Sequence, residues 1–184
     1  PSFRQALVAR GNAHLGSEQL DRAEVDYRDA LRNEPQSVSE LNNLCLVLHR
    51  LNRLDEALAT CRDAIAVDGA HAWSWYNLGT TQHKMGLATE EAVARSRLYE
   101  ASISSYRRVL RDNPGLVSVW ESLQTVLEST GRIAEAHDSR DHASALRRSL
   151  LAGDTGGKRA ASVVLTPAPV PVAVPPPPPP PPPP

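Results

Sequence analysis

Small and apolar residues recur along this chain in a fixed order, with polar and charged residues filling the intervals. Trp75, Leu78 and Gly79 begin one instance, which continues through Ser102 and Tyr106 and closes at Pro114. The same order appears earlier as Leu7 and Gly11, then Ala23, Tyr27 and Ala30, then Pro35. It returns as Leu41, Leu44 and Cys45, then Ala57, Cys61 and Ala64, with Gly69 where the proline would stand, and a last time as Trp120, Leu123, Gly131, Ala136 and Ala143. Gly or Ala at such places lets antiparallel helices approach closely, and a larger apolar residue beside it fills the crossing. The pattern therefore predicts four repeated units, over residues 4–37, 38–71, 72–116 and 117–150.

The first two units are 34 residues long and the third is 45, so the third carries an insertion of 11. Eleven residues make three helical turns at about 3.67 residues each, so a helix lengthened by that amount keeps its buried face almost in phase. Thr89 reads as an N-cap with Glu90 and Glu91 in the first turn, and no Gly or Pro follows until Pro114. These signals predict one long helix over residues 90–112 that projects beyond its neighbours. The last helix should run through Leu146 and Leu150 and end at Gly153. A repeat array needs a polar outer face at its end. Arg140, Arg147 and Arg148 supply part of one, while Leu146, Leu150 and Leu151, where exposed, would offer a surface for a homo-dimer or another partner.

Trp75-x-x-Leu78-Gly79, with the Ala and Pro places that follow it, resembles the tetratricopeptide repeat (TPR), whose pattern spans 34 residues. Four partial matches in phase cover about residues 4–150. The resemblance implies an all-α fold, a TPR-type superhelix of antiparallel helix pairs whose first helices line a concave groove that commonly holds an extended peptide. It implies a protein-binding scaffold or adaptor and says nothing of a reaction. The register then points Asn12, Asn42, Asn43, His49, Arg50, Trp73, Tyr76, Asn77, Thr80, His83, Lys84, Glu121 and Glu128 into that groove. The peptide-binding set within it is Asn12, Asn43, Arg50, Trp73, Tyr76, Asn77, His83 and Lys84.

Asn43 and Asn77 look like two rungs of the asparagine ladder known in some family members, where each amide exchanges hydrogen bonds with an extended backbone. Ala9 and Ser122 hold that place in the outer repeats, and the alternative for the two amides is a bond to the neighbouring repeat. Some relatives bind chaperone C-termini through a clamp of Lys, Asn, Asn, Lys and Arg. Here the corresponding residues are Val8, Asn12, Asn43, Trp73 and Asn77, so the cations that would offset desolvation of a carboxylate are missing. Arg50 and Lys84, beside His49 and His83, either favour an acidic peptide or are ordinary solvated charges. Trp73 and Tyr76 form an aromatic patch of the kind on which proline-rich segments pack.

The composition changes at residue 152, which sets a boundary between a repeat domain over residues 1–151 and a proline-rich tail over residues 152–184. Ten consecutive prolines, residues 175–184, have no amide donor and a fixed φ, so the tail is expected to be a disordered polyproline II segment. It reads as a spacer or as a ligand. A profilin-type reader suits its flanks better than an SH3-type reader, because Lys158 and Arg159 lie far from the nearest Pro-x-x-Pro. At about 3.1 Å per residue it also reaches the groove of its own or a second copy.

Composition adds four constraints. The chain is 41% hydrophobic but only 4% aromatic, which favours helices packed through Leu, Ala and Val. A net charge of -1 with no long basic block argues against nucleic acid and against an anionic membrane. No run approaches the apolar length of a membrane span, and an intracellular, cytoplasmic location is expected. Cys45 and Cys61, the only cysteines, are expected to be buried free thiols in a reducing compartment.

The sequence also starts with Pro where a complete chain starts with Met, which suggests a fragment or processed chain with repeats upstream. No P-loop, Gly-x-Ser-x-Gly, His-Glu-x-x-His or Cys-x-x-Cys is present, so no enzyme activity, cofactor or metal is expected. His137 and His142 stand about 140° apart around one helix and cannot converge on a metal alone. Two alternatives remain to the scaffold reading: the substrate-recognition arm of a larger, glycosyltransferase-like enzyme, and a structural subunit of a large assembly.

Overall fold

The computed structural model describes residues 3–152, and among them there are eight α-helices and no strand. They are α1 (Phe3–Gly16), α2 (Leu20–Asn33), α3 (Val38–Arg50), α4 (Leu54–Val67), α5 (Ala72–Ala88), α6 (Ala92–Asp112), α7 (Val117–Ser129) and α8 (Ile133–Leu151). Each consecutive helix packs on the one before, and α5 also touches α3 and α7. The even-numbered helices make no comparable contact with one another, so the odd-numbered helices lie on the inside of an all-α solenoid. The proline-rich tail, with the spacer and ligand roles expected of it, lies outside the described residues.

The spaced small residues meet where the helices cross. Gly11 lies against the ring of Tyr27, and a Cβ built on it would stand 3.0 Å from Tyr27 Cε1. Gly79 lies in the same way under Tyr106, with 2.9 Å to the equivalent atom. Both rings are fully buried, as are Ala23, Ala57, Ser102 and Ala136 one turn earlier on the second helices.

Three of the four hairpins turn alike. Glu18, Asn52 and Gly131 have φ of 58°, 63° and 73°. The next residue's N–H reaches back five residues, from Gln19 to His14 (2.8 Å), Arg53 to Leu48 (2.9 Å) and Arg132 to Leu127 (3.0 Å). This is a Schellman closure, in which one left-handed residue satisfies the last carbonyls of a helix and aims the chain back.

The third hairpin differs, and here the sequence reading needs correction. The 11 inserted residues do not lengthen α6 alone. α5 has 17 residues against 13 in α3 and α7, and α6 has 21 against 14 in α2 and α4. The insertion is thus divided as four and seven residues, close to one and two turns, so both buried faces stay in register. Gly86 and Tyr99, seven residues beyond Gly79 and seven before Tyr106, repeat the same contact in the extension, and a Cβ on Gly86 would stand 2.5 Å from Tyr99 Cε1. The N-cap is Glu91, not Thr89: its carboxylate accepts from the N–H groups of Val93 (3.1 Å) and Ala94 (2.9 Å). Thr89 instead ends α5, its hydroxyl donating to the Met85 carbonyl at 2.6 Å.

The cysteines are the second correction. Cys45 on α3 and Cys61 on α4 are not free thiols; they form a disulfide with a Cα–Cα distance of 5.4 Å. They occupy the two places that Gly and Tyr hold in the first and third repeats.

The apolar core has two parts. One joins the first two repeats around Tyr27, Leu44, Val47 and Leu48; the other joins the last two around Ile103, Tyr106, Val119 and Val126. Trp75 packs against both. Between them α5 buries polar groups: Ser74, Asn77, Thr81 and Gln82. At the far end Leu150 and Leu151 are exposed, and Leu146 is half-buried.

Candidate functional site

The residues expected in the groove lie on the inner helices α1, α3, α5 and α7, and many of them already have partners within the fold. Tyr27 donates its hydroxyl to Asn12 Oδ1 at 2.7 Å, and Asn43 Nδ2 donates to the same oxygen at 3.2 Å. Asn77 is buried and donates to Asn42 Oδ1 at 2.9 Å. Each of the two ladder amides therefore turns toward the preceding repeat and ties it to its neighbour. Asn43 stays half-exposed.

The two cations have partners as well. Arg50 pairs with Glu18 at 2.9 Å across the first repeat boundary. Lys84 Nζ donates to the His49 carbonyl at 3.2 Å, at the C-terminal end of α3, where the helix dipole favours a positive charge. Partial burial pulls the Lys84 ammonium below its usual range. His49 Nδ1 lies 3.2 Å from Thr81 Oγ1, and burial, helped by the charges of Lys84 and Arg50, pushes its pKa down to about 4. At neutral pH its ring is therefore uncharged. Glu121 is paired with Arg147, and Glu128 accepts from Gln124 Nε2 at 2.8 Å.

The aromatic patch lies on α5. Trp73 meets Tyr76 edge to face, with 5.5 Å between ring centres and an angle of 80°. Tyr76 continues to Tyr106 at 5.8 Å, and its hydroxyl lies 3.3 Å from Ser122 Oγ on α7. Two turns on, His83 packs on Tyr99 at 5.6 Å with Nε2 at 3.3 Å from Ser129 Oγ, and burial lowers its pKa. Trp75 and Trp120 stand at the repeat's structural place, and each indole N–H donates at 2.9 Å to a carbonyl six residues earlier, that of Gly69 or Pro114. Trp73 has no hydrogen-bond partner among the described residues and is only half-buried.

Two serines opposite α5, Ser122 and Ser129, were not singled out from the sequence as polar contacts of the patch. Their shared place, one position after Glu121 and Glu128, was the available signal. Among the described residues no group of three or more His, Cys, Asp or Glu is placed to hold a metal ion, and no helix is long and apolar enough to cross a membrane.

Residues 8–73 match the family model described as tetratricopeptide repeat. No curated protein matches the chain in sequence. Among solved structures it is similar to a thermophilic TPR protein from Thermus thermophilus, with TM-score 0.72, 20% identity, and coverage of 78% of this chain and 74% of that one. It is also similar to MamA, with TM-score 0.71, 17% identity and coverage of 83% and 82%. The first TPR of Spaghetti (RPAP3), solved with the HSP90 peptide SRMEEVD, matches with TM-score 0.60, 18% identity and coverage of 70% and 93%. The first two repeats thus match the tetratricopeptide-repeat model, and the described residues share the all-α solenoid fold of tetratricopeptide-repeat proteins through all four helix pairs.

Proposed function

We propose that the chain is an interaction scaffold whose concave face holds an extended peptide, gripped at α5 by Trp73 and Tyr76. The observation that carries this reading is the contrast among the tryptophans. Two are fixed by indole hydrogen bonds at equivalent structural places; Trp73 is half-open, braced by Tyr76, and its N–H has no partner among the described residues. Such a side chain offers an apolar face and one donor, which suits a proline or aliphatic residue whose backbone carbonyl accepts the indole hydrogen. Asn43 borders the same path.

The charge pattern supports a neutral or proline-containing peptide over an acidic C-terminus. The RPAP3 neighbour holds a peptide with two adjacent glutamates. In this chain Val8 and Trp73 stand where cations would clamp a carboxylate, and Arg50 and Lys84 are engaged within the fold.

The test is to pan a phage-displayed library of random 12-residue peptides on the full chain and titrate the selected peptides. Trp73→Ala should weaken binding at least about tenfold, since an anchoring aromatic commonly contributes more than 1.4 kcal/mol. Val25→Ser, on the exposed side of α2, should leave it unchanged. Selected peptides that bind Trp73→Ala as well as the parent would overturn the reading.

A further inference from the structure

The chain has two cysteines in 184 residues, and both fall on one contact: the place where the two helices of a repeat approach most closely. In the first and third repeats that contact is a glycine under a buried tyrosine ring, Gly11 with Tyr27 and Gly79 with Tyr106, and the extension repeats it as Gly86 with Tyr99. In the second repeat the glycine's place holds Cys45 and the tyrosine's holds Cys61. Their Cα–Cα separation of 5.4 Å lies within the 4.4 to 6.8 Å that a disulfide spans, and neither residue is exposed.

We infer that Cys45–Cys61 is an oxidative-maturation site: the second repeat is completed by forming this bond, which replaces the ring contact that closes the first and third hairpins. Two thiols in place of a Gly–Tyr pair leave the crossing without a large side chain, and an underfilled interior loses packing contacts. The covalent bond instead ties α3 to α4 across a sequence separation of 16 and removes freedom from the open chain.

The chemistry is thiol–disulfide exchange with a disulfide-carrying oxidant. One cysteine thiolate attacks the oxidant's S–S bond, forming a mixed disulfide and releasing one oxidant thiolate. The second cysteine thiolate then attacks the protein-bound sulfur and expels the other. Two protein thiols and one oxidant disulfide become one protein disulfide and two oxidant thiols, with two electrons and two protons passing to the oxidant. Because both sulfurs are buried, exchange belongs to folding or to a local opening of α3 from α4. The site therefore acts as a folding-linked staple and resists reduction while the hairpin stays closed. Since α3 also carries Asn42, Asn43, His49 and Arg50, oxidation sets one wall of the groove; this last consequence rests on the peptide-binding reading.

The experiment compares the full chain refolded in glutathione disulfide buffer with the same chain unfolded, reduced and refolded in excess dithiothreitol. Alkylation under denaturing conditions should find no free thiol in the first and two in the second. Hydrogen exchange read by mass spectrometry should then be faster in α3 and α4 of the reduced chain by on the order of 100-fold, with α7 and α8 as an unchanged reference. The double variant Cys45→Gly with Cys61→Tyr restores the pair used elsewhere and should protect α3 and α4 equally in either buffer. Free thiols after refolding in the oxidising buffer, or equal exchange in the oxidised and reduced parent chains, would overturn the inference whether or not the double variant folds. A peptide selected on the oxidised chain should bind more weakly to the reduced one. Should the exchange contrast hold while no peptide binds in either state, the groove reading fails and the redox site stands.

Discussion

In the first half of the solenoid, one hairpin is closed by Tyr27 over Gly11 and the next by the Cys45–Cys61 bond; in the second half, one hairpin is closed twice, by Tyr106 over Gly79 and Tyr99 over Gly86. The last hairpin has neither device: Gln124 and Arg140 stand at those places. One geometric requirement, that two helices meet without a void, is thus met by a ring over glycine or by a covalent bond, while in the last hairpin Trp120 of α7 stacks on His142 of α8 at 4.5 Å. The ring can be copied along a longer hairpin because the second contact lies seven residues along each helix, and here four further residues on α5 and seven on α6 make room for it. A disulfide serves a single crossing and depends on redox state. This difference explains how the third repeat can project while the second stays short. The extension of α5 begins just after His83 and Lys84, the counterparts of His49 and Arg50 at the end of α3.

The largest effect expected in this comparison comes from removing the ring in the second half. Tyr106 is fully buried, contacts Tyr76 and covers Gly79, so Tyr106→Ala should cost about 3 to 5 kcal/mol in urea unfolding. Tyr99→Ala, at the edge of the extension and slightly exposed, should cost clearly less. Equal losses at the two sites would mean that the extension is as much part of the cooperative core as the crossing beneath it, and the division between inner and copied contact would go.

Most of the fold was legible because its signal is repeated. Any one of Leu7, Leu41, Trp75 or Trp120 is an ordinary apolar residue; four at the same place, each followed by small residues at the crossings, fix the register. Where the repeat breaks, sequence reasoning lost its second copy. Gly86 and Tyr99 were a duplicate of Gly79 and Tyr106 at a distance of seven, but that period shows only when the two helices are read antiparallel to each other. The cysteines were placed correctly in the hairpin and assigned the wrong chemistry, because cysteine count alone speaks for compartment and not for the distance between two side chains. Arg50, Lys84, Asn43 and Asn77 lie on the inner helices α3 and α5, where the repeat register puts them. Their engagement with Glu18, the end of α3, Asn12 and Asn42 depends on side-chain directions that spacing does not specify.

The seam between the halves gives a second, smaller effect. His49 meets Thr81 across it with Lys84 and Arg50 nearby, and its folded pKa of about 4 lies below the ordinary 6.5. As pH falls from about 6.5 toward 4, the unfolded chain takes up a proton that the native ring refuses, so stability declines through that window. Burial lowers His71 and His83 in the same direction. Asp26, held below the usual carboxylate range mainly by its hydrogen bond from Arg10, acts lower: its contribution is present above about pH 4 and is lost as pH falls further. His49→Gln should keep a polar partner for Thr81 and remove a loss on the order of 2 kcal/mol between pH 7 and pH 4.5, read from urea midpoints. An unchanged pH slope in the variant would assign the acid sensitivity elsewhere in the seam.

The smallest effect separates the halves at their turns. Glu18, Asn52 and Gly131 do the same work in the left-handed region, but only the second half uses glycine there. A Cβ on Gly131 meets no atom within 4 Å, so Gly131→Ala tests backbone conformation without packing. It should cost about 1 kcal/mol, the penalty of a left-handed L-residue. Asn52→Gly should change stability by only about a few tenths of a kcal/mol, because asparagine tolerates this region and the glycine it gains also widens the unfolded ensemble. If Gly131→Ala proves neutral in thermal unfolding while Asn52→Gly is clearly stabilising, the last hairpin is loose enough to change its turn. The second half would then end in a frayed pair at α7 and α8, and the disulfide-tied first half would be the rigid part of the molecule.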